Sequence, residues 1–186
     1  NVNTADDTGA TPLIIAREQG RDEVVALLEN AKQADNDGAT PLYIACYEGH
    51  LEVVKKLLEK GADIDQANND GATPLYLACM WNKLEVVQLL VEKGADINKA
   101  NNDGETPLFI ACQWGRLEVF KKLLEKLPDI NKTRNDGATP LFTACQEGHL
   151  EVVRLLLEKG ADINNARNDV ATPLFIACQE GHLEVV

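Results

Sequence analysis

Thr-Pro-Leu occurs six times in the chain, with its prolines at Pro12, Pro41, Pro74, Pro107, Pro140 and Pro173. The last four intervals are 33 residues long and the first is 29. A sequence that repeats itself at such a period folds as a row of like units. One unit this small cannot bury an apolar face alone and must lean on its neighbours. Six copies fill the 186 residues. Residues 1–186 therefore read as a single repeat domain, with units at about 1–33, 34–66, 67–99, 100–132, 133–165 and an incomplete 166–186.

The third unit, Ala67 to Lys99, shows what each copy encodes. Asp70-Gly71 is a turn signal. Thr73 before Pro74 predicts a helix start, with a hydroxyl at the cap and a proline where no amide donor is needed. Leu75, Ala78 and Cys79 fall on one helical face. This first helix is predicted to stop near Trp81. Sister copies place Gly49, Gly115, Gly148 and Gly181 at the next position, which suits a left-handed terminating residue, and Asn82 is the best-tolerated replacement. A second helix is predicted from Leu84 to about Lys93, with Val86, Val87, Leu89 and Leu90 inward and Glu85, Gln88 and Glu92 outward. Gly94 closes it, and "ADINKANNDG" runs on as an extended, turn-rich link. Each unit is thus helix, turn, helix and a projecting hairpin-like loop.

Charge and cysteine usage narrow the function classes. Net charge is −12, which repels nucleic acid and anionic membranes, and no Lys/Arg cluster offsets it. No apolar run is long enough to span a bilayer. "NVNTADDTGATPL" has neither the basic start nor the apolar stretch of a signal peptide. Cys46, Cys79, Cys112, Cys145 and Cys178 are each 33 residues apart and each follows an alanine. In stacked units they would lie about 10 Å from one another, beyond disulfide reach. They read as small buried apolar residues of a chain in a reducing compartment, cytoplasmic or nuclear. His50, His149 and His182 recur at multiples of the same period, so they cannot gather round one metal ion. They are expected to hydrogen-bond between neighbouring loops. The chain holds no serine, no phosphate-cradling glycine loop and no cysteine with an activating base. The expectation is a non-enzyme without cofactor or metal.

The stretch "DGATPLYIACYEGHLEVVKKLLEKGADI" resembles the ankyrin repeat, with Thr-Pro-Leu, Gly-His-Leu-Glu-Val-Val and Gly-Ala-Asp-Ile in their places. The resemblance covers essentially the whole chain. It implies an all-α, ankyrin-repeat solenoid of stacked helix-turn-helix units with projecting hairpin-like loops. It also implies binding of a partner protein or peptide on the concave side, formed by the first helices and the loops. Two steady departures are Cys where a second Ala is usual, and Tyr43, Tyr76, Phe109, Phe142 and Phe175 where His is usual.

Individual copies depart further. The first is polar at Arg17, Arg21 and Asp22, as an outermost unit should be. The sixth stops at Val186, and the apolar face bared there is expected to favour weak end-to-end self-association and to call for more repeats or a cap. Val170 replaces a turn glycine, which predicts a reshaped or loosened turn. Leu127-Pro128 replaces Gly-Ala, which predicts an extended Leu127 and a helix ending without its glycine cap. "NKT" at Asn131 to Thr133 fits a glycosylation pattern and is taken as chance.

The departures that point to function follow "Ala-Cys". There the copies read Glu18-Gln19, Tyr47-Glu48, Met80-Trp81, Gln113-Trp114, Gln146-Glu147 and Gln179-Glu180. Trp81 and Trp114 share one slot in adjacent units, about 10 Å apart. Tyr47 and Met80 lie beside them, and Lys83 and Arg116 replace the usual His two residues on. The aromatic row could serve packing alone. Yet four copies fill the slot with Gln or Glu, so the fold does not require tryptophan, and tryptophans cluster at binding hot spots. Tyr47, Met80, Trp81, Lys83, Trp114 and Arg116 are therefore the candidate partner-binding residues. The alternative is a spacer or assembly segment of a larger repeat protein, natural or designed, with no ligand of its own.

Overall fold

A computed structural model describes residues 34–185. The expectations for Arg17, Glu18, Gln19, Arg21, Asp22 and Val186 lie outside the described residues. Among the described residues are nine helices and no strand. They are α1 Pro41–Glu48, α2 Leu51–Glu59, α3 Pro74–Met80, α4 Leu84–Glu92, α5 Pro107–Gln113, α6 Leu117–Leu124, α7 Pro140–Gln146, α8 Leu150–Glu158 and α9 Pro173–Glu180. Odd-numbered helices pack on one another in sequence, and even-numbered helices form a second column beside them.

The repeated words act as predicted. Thr40, Thr73, Thr106, Thr139 and Thr172 sit extended at the helix starts. Each hydroxyl accepts from the third helical N–H, at 3.0–3.2 Å, and each cap contributes about 1 kcal/mol. Asn82 takes the left-handed conformation that glycine takes in the sister copies, φ 55°. The apolar faces merge into one continuous core from Leu42 to Ala177. Phe109, Phe120 and Phe142 are completely enclosed, each contributing about 1.5–3 kcal/mol. Within α4, Leu89 is only half-buried, while Val91, not foreseen as inward, is buried.

Cys46, Cys79, Cys112 and Cys145 are buried and unbridged. Burial pushes the first three thiols far up and Cys145 to about 11, which leaves them inert. Cys178 departs from the expectation. It is exposed, together with Leu174 and Phe175, because among the described residues no helix pair packs on that side of α9.

Loops are joined across units by a polar ladder. The backbone N–H of Asn69, Asn102, Asn135 and Asn168 donates to the carbonyl of Asp37, Asp70, Asp103 and Asp136 one unit back, at 2.8–3.0 Å. Each Asn amide group donates to the carbonyl beside it, of Asn36, Asn69, Asn102 and Asn135. A second ladder links the segments after the even helices. Asp65, Asn98 and Asn131 accept from the N–H of Asp96, Asp129 and Asp162 at 3.0 Å. The side chain of Asn131, the glycosylation-like position, is thereby engaged between units.

Two expectations are overturned. Val170 keeps the left-handed turn, φ 64°, with the same closing bonds as its sisters: Val170 N to Arg167 O and Arg167 N to Ala171 O, each 2.9 Å. Glycine at this position serves two needs. It permits positive φ, and it leaves room for the next loop: a Cβ on Gly104 would lie 2.7 Å from Asn135 Oδ1 and 3.0 Å from Asn135 N. Val170 is 84% exposed and meets no such loop, so only the conformational strain remains. Leu127 is not extended either but left-handed, φ 53°. The turn between the second helix and the link demands that geometry, and its glycine counterparts Gly61, Gly94 and Gly160 face open space. What the proline removes is a bond. Ala62, Ala95 and Ala161 donate back to Leu57, Leu90 and Leu156 at 3.0 Å. Pro128 has no N–H to do so, and α6 ends one residue early.

Gly94→Ala is expected to cost about 1 kcal/mol from backbone conformation alone, and Gly104→Ala about 3 kcal/mol, because the adjoining loop must also back away from its two hydrogen bonds. Val170→Gly should raise stability by about 1 kcal/mol. Urea unfolding of the three variants checks this series, and equal costs at Gly94 and Gly104 would contradict the close approach.

Candidate functional site

Trp81 and Trp114 are the residues on which α3 and α5 end. Their N–H groups close the last helical turn on Leu77 and Ile110, at 3.0 and 3.1 Å. The backbone at this slot is fixed, but the helix does not enclose the side chain, so its identity is free to vary. The indoles are 48% and 50% exposed and Tyr47 is 37% exposed. Tyr47 meets Trp81 edge to face, with ring centroids 5.1 Å apart. The guanidinium of Arg116 lies 5.8 Å from the centre of the Trp114 ring. Met80 is half-buried against the core and Gln113 occupies its position one unit on. The Gln113 Oε1 atom is buried without a hydrogen-bond partner, an orphan acceptor that costs about 1–3 kcal/mol.

Lys83 and Arg116 are half-buried and engaged with the unit before them. Arg116 Nε donates to the Met80 carbonyl at 3.2 Å. His149 and His182 make the equivalent bonds through Nε2, to the carbonyls of Gln113 and Gln146, each 3.0 Å. The lysine stem of Lys83 lies over Gly49, where an added Cβ would come within 2.9 Å of it. The exposed part of the candidate set is therefore Tyr47, Trp81 and Trp114, while the two cations reach backwards into the stack.

The exchange of His for Arg at position 116 has a local cause. A Cβ on Gly115 would sit 2.6 Å from the His149 ring, and one on Gly148 2.5 Å from that of His182. The histidine bond thus requires glycine in the unit before. At the position corresponding to Gly115, that unit carries Asn82, whose Cβ occupies the space. Arginine reaches the same carbonyl on a longer, more flexible stem.

Sequence reading missed a polar knot at the N-terminal side of the same helices. Glu105, whose side chain is only 13% exposed, stands where other units carry alanine. It accepts from Tyr76 Oη at 2.7 Å and Asn101 Nδ2 at 2.9 Å, and Arg134 approaches it at 3.5 Å. Burial first, then Glu105, holds the Tyr76 phenol above its ordinary range. In the later units the ring is phenylalanine and the following loop supplies arginine: Arg134 over Phe109 at 5.4 Å and Arg167 over Phe142 at 4.9 Å. Arg134 also grips Asp136 and holds its carboxyl down at about 2. The signal for this knot lay in the lone Glu of "DGETP", which was not singled out.

Among the described residues no group of three or more His, Cys, Asp or Glu could hold a metal ion, and no helix is long and apolar enough to cross a membrane. What the row presents to solvent is the two indoles and the Tyr47 ring. A family model described as "Ankyrin repeats (3 copies)" matches the chain over residues 1–68, 61–136 and 127–186. No curated protein matches it.

If Asn82 dictates Arg116, the two positions are coupled. Arg116→His alone should destabilise by about 1–2 kcal/mol, and adding Asn82→Gly should recover most of that loss. A double-mutant cycle by urea unfolding checks it; additive effects would contradict the steric link.

Proposed function

From the premise that the chain belongs to the ankyrin repeat family, whose members are generally protein–protein interaction modules and typically non-enzymatic, we propose that it captures a partner protein or peptide on the concave face, with Trp81 and Trp114 as anchors. The observation carrying this is the half-exposure of both indoles at a slot which sister units fill with glutamate. Nothing in the stack needs a tryptophan there. Half-exposed indoles side by side offer an apolar or aromatic side chain a large, stiff surface at small entropic cost. Tyr47 extends that surface through its edge contact with Trp81. Arg116 and Met80 support it by tying the end of α3 to the next unit through the Met80 carbonyl, and the stem of Lys83 lies over Gly49 at the end of α1. The setting is an intracellular one, and the partner is not nucleic acid, because the net charge of −12 opposes a polyanion.

A second reading, a segment that assembles end to end, draws on the exposed Leu174 and Phe175 of α9 and Leu183 just after it. It predicts a sedimentation coefficient that rises with concentration and is insensitive to the indoles.

In a quantitative pull-down, Trp81→Ala with Trp114→Ala should lower specific capture by about thirtyfold or more, from roughly 2 kcal/mol at a hot spot. Melting should fall only slightly, and more for Trp81→Ala than for Trp114→Ala, because Trp81 also loses its edge-to-face pair. Unchanged capture by the double variant would contradict the assignment.

A further inference from the structure

Each loop tip of the described units carries an aspartate just before its turn glycine or Val170, at Asp37, Asp70, Asp103, Asp136 and Asp169. These five are not alike. In the last two units the turn begins with an arginine that pairs with its own aspartate, Arg134 with Asp136 and Arg167 with Asp169. In the earlier three the turn begins with Asp35, Asn68 or Asn101, whose Oδ1 accepts the turn N–H groups at 2.8–3.1 Å and brings no positive charge. Asp37, Asp70 and Asp103 are exposed and form no ion pair among the described residues. Tyr43 registers the surplus: burial first, and then Asp70, Asp35 and Asp37, hold its phenol above the ordinary range, while at Tyr76 burial and Glu105 lead and Asp103 adds to them.

The three uncompensated tips belong to the same units that depart from the pattern with Tyr47, Trp81 and Trp114. In each unit a single helix of 7 or 8 residues separates tip from aromatic slot, about 10–12 Å at 1.5 Å per residue. We propose that the partner presents an extended segment with lysine or arginine at three-residue intervals, and that it lies along the units from Asp37 to Asp103 with its apolar side chains on the indoles. The spacing sets the period. Helices stacked side by side repeat at about 10 Å, and three residues of an extended polyproline-type chain span about 9 Å and bring side chains i and i+3 to the same face. The loop bond from Asn102 N to Asp70 O, at 2.8 Å, keeps successive tips at the interval of the stack. Cationic residues at i, i+3 and i+6 thus meet Asp37, Asp70 and Asp103 in turn, and the net charge of −12 draws such a segment in.

This inference rests on the concave-face reading above and specifies its partner. The chain's two tryptophans both lie in the site, so their emission reports binding directly. The probes are three synthetic peptides of one length, with leucine at the same positions and lysine, glutamine or glutamate at every third residue. The proteins are the natural chain and the triple variant Asp37→Asn, Asp70→Asn, Asp103→Asn. The lysine peptide should shift indole emission saturably, bind about tenfold more weakly to the triple variant, and weaken with salt. The glutamate peptide should give no shift. Equal affinity for the lysine and glutamine peptides, unaffected by the triple variant, overturns the charge assignment and leaves the indole anchor standing. No emission change with any peptide overturns both.

Discussion

Everything in this molecule depends on one short bond repeated down the array, from the asparagine N–H of each loop to the aspartate carbonyl of the loop before it. Burial of the helix faces supplies most of the stabilisation, but an apolar face is tolerant of sliding and rotation. The loop bond is not. It forms at one spacing, over a turn with no room for a side chain, and so it converts a greasy stack into a row of defined pitch. The second ladder from Asp65, Asn98 and Asn131 and the bonds from Arg116, His149 and His182 to the preceding helix end repeat the same constraint at two further heights. Three polar seams and one apolar core thus fix each unit against the next.

A stack held this way leaves a few positions free. The slot that ends each odd helix is one. Its backbone closes a helical turn and its side chain reaches solvent, so glutamate and tryptophan serve the fold equally well. The start of each loop is another, where Asn68 and Arg134 complete the same turn by different means. Differences among the copies gather at such positions, and function in a repeat protein is written in those differences. The row from Tyr47 to Trp114 and the uncompensated carboxylates from Asp37 to Asp103 are two departures carried by the same three units.

Much of the fold was legible because its determinants are local. Thr-Pro marks each helix start through a cap three residues away, and a glycine or Asn82 marks each stop. What was not legible depends on the neighbouring unit. Leu127 and Val170 read as breakers by their own preferences, yet the stack holds both left-handed because it leaves open space at each. Cys178 read as buried by its position and is exposed because, among the described residues, no helix packs on the side of α9 away from α7. The partner of Arg116 is a carbonyl 36 residues back, and that of Tyr76 a carboxylate 29 residues on. At the candidate site, sequence singled out a row whose rings are exposed, but not the division of labour within it. Whether a cation beside an indole faces solvent or braces the stack is set by the residue it packs on, such as Gly49 beneath Lys83.

Native-state hydrogen exchange at the amides of Asn69, Asn102, Asn135 and Asn168 tests this account most directly. These groups sit in exposed loops, where unbonded amides exchange freely. If the loop bonds set the pitch of the array, the central pair, Asn102 and Asn135, should be protected to nearly the level of the buried helices and exchange only when neighbouring units separate. Exchange of that pair at the rate of an unstructured loop, with the helices still protected, would show that apolar packing alone holds the units in place.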